Sequence, residues 1–94
     1  MARAMDETDD SRTPAAEDAA TESAVLQLLL DLHPVQVNAA ELVREVGGES
    51  PSFAERDAIQ RAVAALTGAG LLHARDAFVL PTRAALRFNE LLDR

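Results

Sequence analysis

Ala58–Phe88 reads AIQRAVAALTGAGLLHARDAFVLPTRAALRF, and the fold turns on this stretch. Its first part carries apolar side chains at helical spacing. On a wheel of about 100° per residue, Ile59, Val63 and Leu66 cluster on one side, backed by Ala58 and Ala62. The opposite side carries Asp57, Arg61, Ala64 and Gly68. Gly70 then interrupts the helix, and Leu71–Arg75 and Ala77–Leu80 read as two strands around a tight turn near Asp76. Thr82 is placed to cap a further helix from Arg83 to about Leu92, with Ala84, Phe88 and Leu91 expected to face the core. Helix, compact hairpin and helix in so short a run predict a mainly α domain with a small antiparallel β-hairpin, an α+β fold.

Upstream, Ser52 and Glu55 form a capping box that starts the Ala58 helix, and Gly47–Pro51 is a loop. A second capping box, Asn38 with Glu41, opens a helix over Ala39–Val46, flanked by Val37 and Leu42 in the staple positions. That helix should stop at Gly47 in a left-handed cap. At two turns it would melt alone, so packing must hold it. Val35–Val37 is an extended piece able to add a third strand to the hairpin. Before it, Val25, Leu28, Leu29 and Leu32 define one face of a helix from about Glu22 to Leu32, with Leu26 and Leu30 as a second stripe. His33-Pro34 ends that helix, because the residue before Pro is pushed out of the α region. Residues 1–21, rich in Asp, Glu and Ala, are expected to be a disordered acidic tail, leaving 22–94 as the domain. Thr13-Pro14 offers an earlier helix start, with Pro at the first position.

At 94 residues the chain holds one domain at most. It has no cysteine, which excludes disulfides and thiolate zinc sites. No apolar run serves as a signal peptide or spans a bilayer, so a cytoplasmic protein without membrane association is expected. All nine basic residues are Arg, which reads as the coding bias of a GC-rich genome. The net charge of −7 is uneven: −5 over residues 1–23, −3 over 24–52 and +1 over 53–94. The C-terminal half alone has a basic surplus.

The order helix, short strand, helix, helix, hairpin, helix resembles the winged helix-turn-helix domain of bacterial transcriptional regulators, over about residues 22–94. Ala58–Phe88 carries the likeness best: an amphipathic helix ends in Gly70-Leu71-Leu72, enters a hairpin and restarts at Thr82. The resemblance implies a DNA-binding transcriptional regulator that needs no cofactor. Ala39–Val46 would be the positioning helix, Ser52–Gly68 the recognition helix and Leu71–Leu80 the wing. By position, the nucleic-acid-binding candidates are then Arg56, Gln60, Arg61 and Ala64, with Asp57 on the same face. Arg75 belongs to the wing, and Arg83 and Arg87 lie on the last helix.

Bland readings stand beside these. Asp57 lies four residues before Arg61, so the two suit a solvated ion pair as well as a base contact. Glu55 and Asp57 favour the helix dipole yet repel phosphate. Arg75, Arg83 and Arg87 suit scattered surface charge as well as phosphate contacts. The alternative function is therefore a winged-helix protein-interaction module that binds no DNA. Leu26 and Leu30, with Leu86 and Leu92, need burial, either within the monomer or in a two-fold homodimer seam. His33 and His73 lack acidic neighbours at metal-ligand spacing, and no metal site is expected. No Ser-His-Asp set, carboxylate pair or phosphate loop can be assembled, so the chain reads as a non-enzyme. The acidic tail is either a solubilising leader or a decoy that competes for the basic side.

Overall fold

The computed structural model of the chain describes residues 14–93, which form four helices and one three-stranded antiparallel sheet. In chain order these are α1 (Pro14–Leu32), β1 (Val37–Asn38), α2 (Ala39–Gly47), α3 (Phe53–Gly68), β2 (Leu72–Arg75), β3 (Phe78–Pro81) and α4 (Arg83–Leu92). The fold is α+β. No helix among the described residues is long and apolar enough to cross a membrane.

One core joins the elements. Val25 and Leu29 of α1, Val37 of β1, Leu42 of α2, Ile59, Ala62 and Leu66 of α3, Leu72 of β2 and Val79 of β3 are buried together. Each of the larger side chains contributes roughly 1.5–3 kcal/mol by leaving water. The faces read from periodicity in α1, α2 and α3 are the buried ones. Both capping boxes form as their residue types require. Asn38 Oδ1 accepts from the Glu41 N–H at 2.8 Å, and Ser52 Oγ from the Glu55 N–H at 3.1 Å. Each glutamate carboxylate accepts the cap residue's own N–H in return.

Helix α3 closes in a Schellman motif. The Leu71 N–H donates to the Leu66 carbonyl and the Gly70 N–H to the Thr67 carbonyl, while Gly70 takes φ 84°. Leu71 then packs back on the core. The hairpin turns over two residues, Asp76 and Ala77, with Asp76 at φ 57°, a region Asp tolerates better than most residues. Strand β3 lies in the middle, paired with β2 from Arg75↔Phe78 to Leu72↔Pro81 and with β1 at Val37↔Val79 and Asn38↔Phe78. The third strand is thus shorter than Val35–Val37 suggested, and Val35 lies outside it, exposed.

Three further features differ from expectation. Helix α1 begins at Pro14 rather than near Glu22, so residues 14–21 are helical; residues 1–13 of the expected tail, and Arg94, lie outside the described residues. An Ala-rich segment is a strong helix former without leaving an apolar stripe to detect. The left-handed residue after α2 is Gly48, at φ 90°, not Gly47. Gly47 stays helical and lets Pro51 approach closely: a Cβ there would sit 3.0 Å from the Pro51 Cβ.

The third difference concerns α4. Ala84 is exposed, as are Phe88 at 61% and Leu91 at 48%, whereas Ala85 is the buried residue. The cap sets this rotation. Thr82 Oγ1 donates to the Gly70 carbonyl at 2.8 Å and accepts from the Ala85 N–H at 3.2 Å. The Thr82 N–H also donates to the Leu71 carbonyl. Tied to the end of α3 in this way, α4 turns Ala85 inward and leaves the 84/88/91 face in water.

Candidate nucleic-acid interface

Helices α2 and α3, joined by a short loop, present one open concavity of about 410 Å³. Ala39, Ala40, Val43 and Arg44 of α2 line one side, and Arg56 and Gln60 of α3 the other, with Glu49 and Pro51 between. The capping box fixes the start of α3, and burial of Ile59 fixes its rotation; together they aim Arg56 and Gln60 toward α2. Neither arginine here makes an ion pair among the described residues. Glu49 shares this concavity with both guanidinium groups, and Glu41 and Glu45 flank Arg44 on its other side.

Arg61 lies elsewhere. Its Nε donates to Asp57 Oδ2 at 3.0 Å, and its Nη1 donates to Asp18 Oδ1 of α1, also at 3.0 Å. Donation to Asp57 first, and then to Asp18, raises its pKa above the ordinary arginine value. The expected Asp57–Arg61 ion pair is present, and a second carboxylate joins it. Arg61 turns toward α1, on the opposite flank of α3 from Arg56 and Gln60.

Ala64 lies exposed on α3. Arg75 is exposed at the end of β2 beside the hairpin turn, and Arg83 is exposed at the first position of α4. Neither makes an ion pair among the described residues. A cation at the first turn of a helix opposes the helix dipole, so α4 stability does not explain Arg83. Arg87 is paired with Glu90 at 3.1 Å.

Two residues were missed by reading the sequence. Arg44 shares the concavity, a placement that only the packing of α2 on α3 reveals. Phe53 is 85% exposed at the start of α3; extending the wheel back to it places it away from Ile59 and Leu66.

Leu26, Leu30 and Leu92 are brought together with Leu71, Ala85 and Phe88 around a groove of about 230 Å³ between α1 and α4. Leu86, half-buried, does not line it. Among the described residues no polar or charged side chain is buried, and no three His, Asp or Glu side chains group so as to hold a metal. His33 and His73 are exposed.

No protein-family model matches the chain, and no curated protein or solved structure is significantly similar to it.

Proposed function

We propose that the chain is a winged helix-turn-helix DNA-binding regulator, with α2 and α3 as the helix-turn-helix and β2–β3 as a short wing. The observation that carries this reading is the concavity in which Arg44 and Arg56, exposed and without ion-pair partners among the described residues, lie beside Gln60 near the start of α3. Guanidinium groups bind phosphate or guanine edges bidentately, and a Gln amide suits adenine. The element order, with β1 pairing the returning strand of the hairpin, supports the same assignment. Arg75 and Arg83 are the backbone-contacting candidates. A homodimer through the α1–α4 groove belongs to the same reading, since Phe88 and Leu92 are exposed beside Leu26 and Leu30.

Fluorescence-anisotropy titration of the full chain with mixed duplex DNA, at low and moderate salt, tests this. Saturable binding should appear, its log–log salt slope changing by about 0.9 for each phosphate neutralised. Arg56→Ala should weaken it at every salt concentration. Absence of binding at low salt overturns the reading.

The second reading, a protein-interaction module, is favoured by two specific observations. Arg61 is already neutralised by two carboxylates, and the ring of Phe53 is exposed at the start of α3. On that reading duplex DNA is ignored, and Phe53→Ala weakens capture of a protein partner.

A further inference from the structure

We propose that the N-terminal turns of α1 are an autoinhibitory latch on α3, in which Asp18 occupies Arg61 and competes with nucleic-acid phosphate for it. This rests on the DNA-binding reading and specifies how the same surface is restrained.

Two contacts hold Arg61, and they are not equivalent. Asp57 belongs to α3 and moves with it, one turn away on the same helix. Asp18 lies 43 residues earlier in the chain, on α1. Withdrawing the first turns of α1 removes Asp18 alone and frees Nη1, the group with which a guanidinium reaches a phosphate oxygen. Glu22, one turn further along α1, lines the same cleft, where α3 contributes Ala58, Ala62 and Ala65 besides Arg61. An approaching phosphate on this flank meets Asp18 and Glu22 as well as Asp57 unless α1 has moved.

The latch is built to open. The first buried side chain of α1 is Val25, so the turns from Pro14 onward are held without one. Terminal turns held in this way open at little cost. The Asp18–Arg61 pair is itself half in water, its side chains 44% and 55% exposed, and salt screens it. Its effect on DNA affinity is accordingly modest and largest at low salt. Asp18 thus gives one carboxylate of the expected acidic decoy a definite partner; residues 1–13 lie outside the described residues.

The test uses full-length chains: wild type, Asp18→Asn, Arg61→Ala and the double variant, each checked for helicity by circular dichroism and titrated with duplex DNA at low salt. Glu17→Gln removes the same charge from an exposed neighbouring position that makes no ion pair among the described residues. Asp18→Asn should tighten binding by about two- to five-fold, and Glu17→Gln by less. In the Arg61→Ala background Asp18→Asn should bring no such gain. An equal gain in both backgrounds, or one matched by Glu17→Gln, overturns the latch in favour of general charge repulsion. Wild-type binding with no response to Asp18→Asn removes the latch and leaves the DNA reading standing. Binding by none of the chains overturns both.

Discussion

Helix α2 depends on a single fully buried side chain, and Leu42→Ala measures that dependence. The helix has nine residues, too few to persist alone. Val43 and Val46 pack only partly against the core, so Leu42 is its main anchor. Truncating a buried Leu to Ala costs about 2–5 kcal/mol, through lost burial and the cavity left behind. The surroundings of Leu42 come from several separate elements, which disfavours collapse and points to a cost of about 3 kcal/mol. With a urea slope of about 1 kcal/mol/M for so small a domain, the midpoint should fall by about 3 M. Urea titration followed by circular dichroism at 222 nm reads this directly, with Leu91→Ala as the comparison. Leu91 is 48% exposed, and its truncation should cost under about 0.5 kcal/mol. Equal shifts for the two variants, or a loss below about 1 kcal/mol for Leu42→Ala, would refute the account of how α2 is held. It would also weaken the case for Arg44 as part of the interface, since Leu42 fixes the rotation of the helix that presents it.

Two glycines close together should respond in opposite directions. Gly70→Ala is destabilising by about 1 kcal/mol, because Gly70 sits at φ 84° although nothing lies within 4 Å of a Cβ there. Gly68→Ala, with equally open space on a helical residue, should stabilise by about 0.5–1 kcal/mol; thermal melts of both separate backbone strain from crowding. Ser52→Ala should cost about 1 kcal/mol by removing the α3 cap, and Thr82→Ala more, up to about 2 kcal/mol, since Thr82 Oγ1 also donates to the Gly70 carbonyl. Equal urea midpoints for those two variants would remove the link between α4 and the end of α3. Arg75→Ala should lower the salt slope of duplex binding by about one contact without changing base preference, which competition between unrelated duplexes would show.

Where long side chains recur at helical spacing or a cap residue stands three before a glutamate, the sequence could be read directly. Val25 and Leu29, Leu42, and Ile59 with Leu66 all lie where periodicity put them, because burying those side chains outweighs everything else locally. Two of the differences have causes that periodicity does not carry. Alanine leaves almost no periodic signal, so Pro14–Thr21 passed for tail although alanine favours the helix. In α4 Ala84, Ala85, Phe88, Leu91 and Leu92 lie along one arc, yet only Ala85, at its edge, is buried. A single hydroxyl, Thr82 bound to the Gly70 carbonyl, chooses the buried face instead. That bond joins positions 12 apart across a hairpin and could not be read from either segment alone.

The same reasoning divides the candidate site. Arg56 and Gln60 project toward α2 because Ile59, their neighbour on the helix, must point inward, and that consequence is visible in the sequence. Arg61 looked equally available on the wheel, and its neighbour Asp57 was the only visible competitor. The deciding partner, Asp18, sits on a helix whose first turns had no pattern to announce them. Its position gives α3 two electrostatically different flanks: toward α2, Arg44 and Arg56 make no ion pair among the described residues, and toward α1 Arg61 is paired with Asp18 beside Glu22. A polyanion approaching α3 is therefore drawn to the α2 side first, through Arg44 and Arg56, and reaches Arg61 only at the expense of the α1 contact. If so, Arg56→Ala and Arg44→Ala should slow association with DNA at low salt, whereas Arg61→Ala should act mainly on dissociation. Stopped-flow mixing distinguishes the two, and a slower association rate for Arg61→Ala alone would reverse the order of approach.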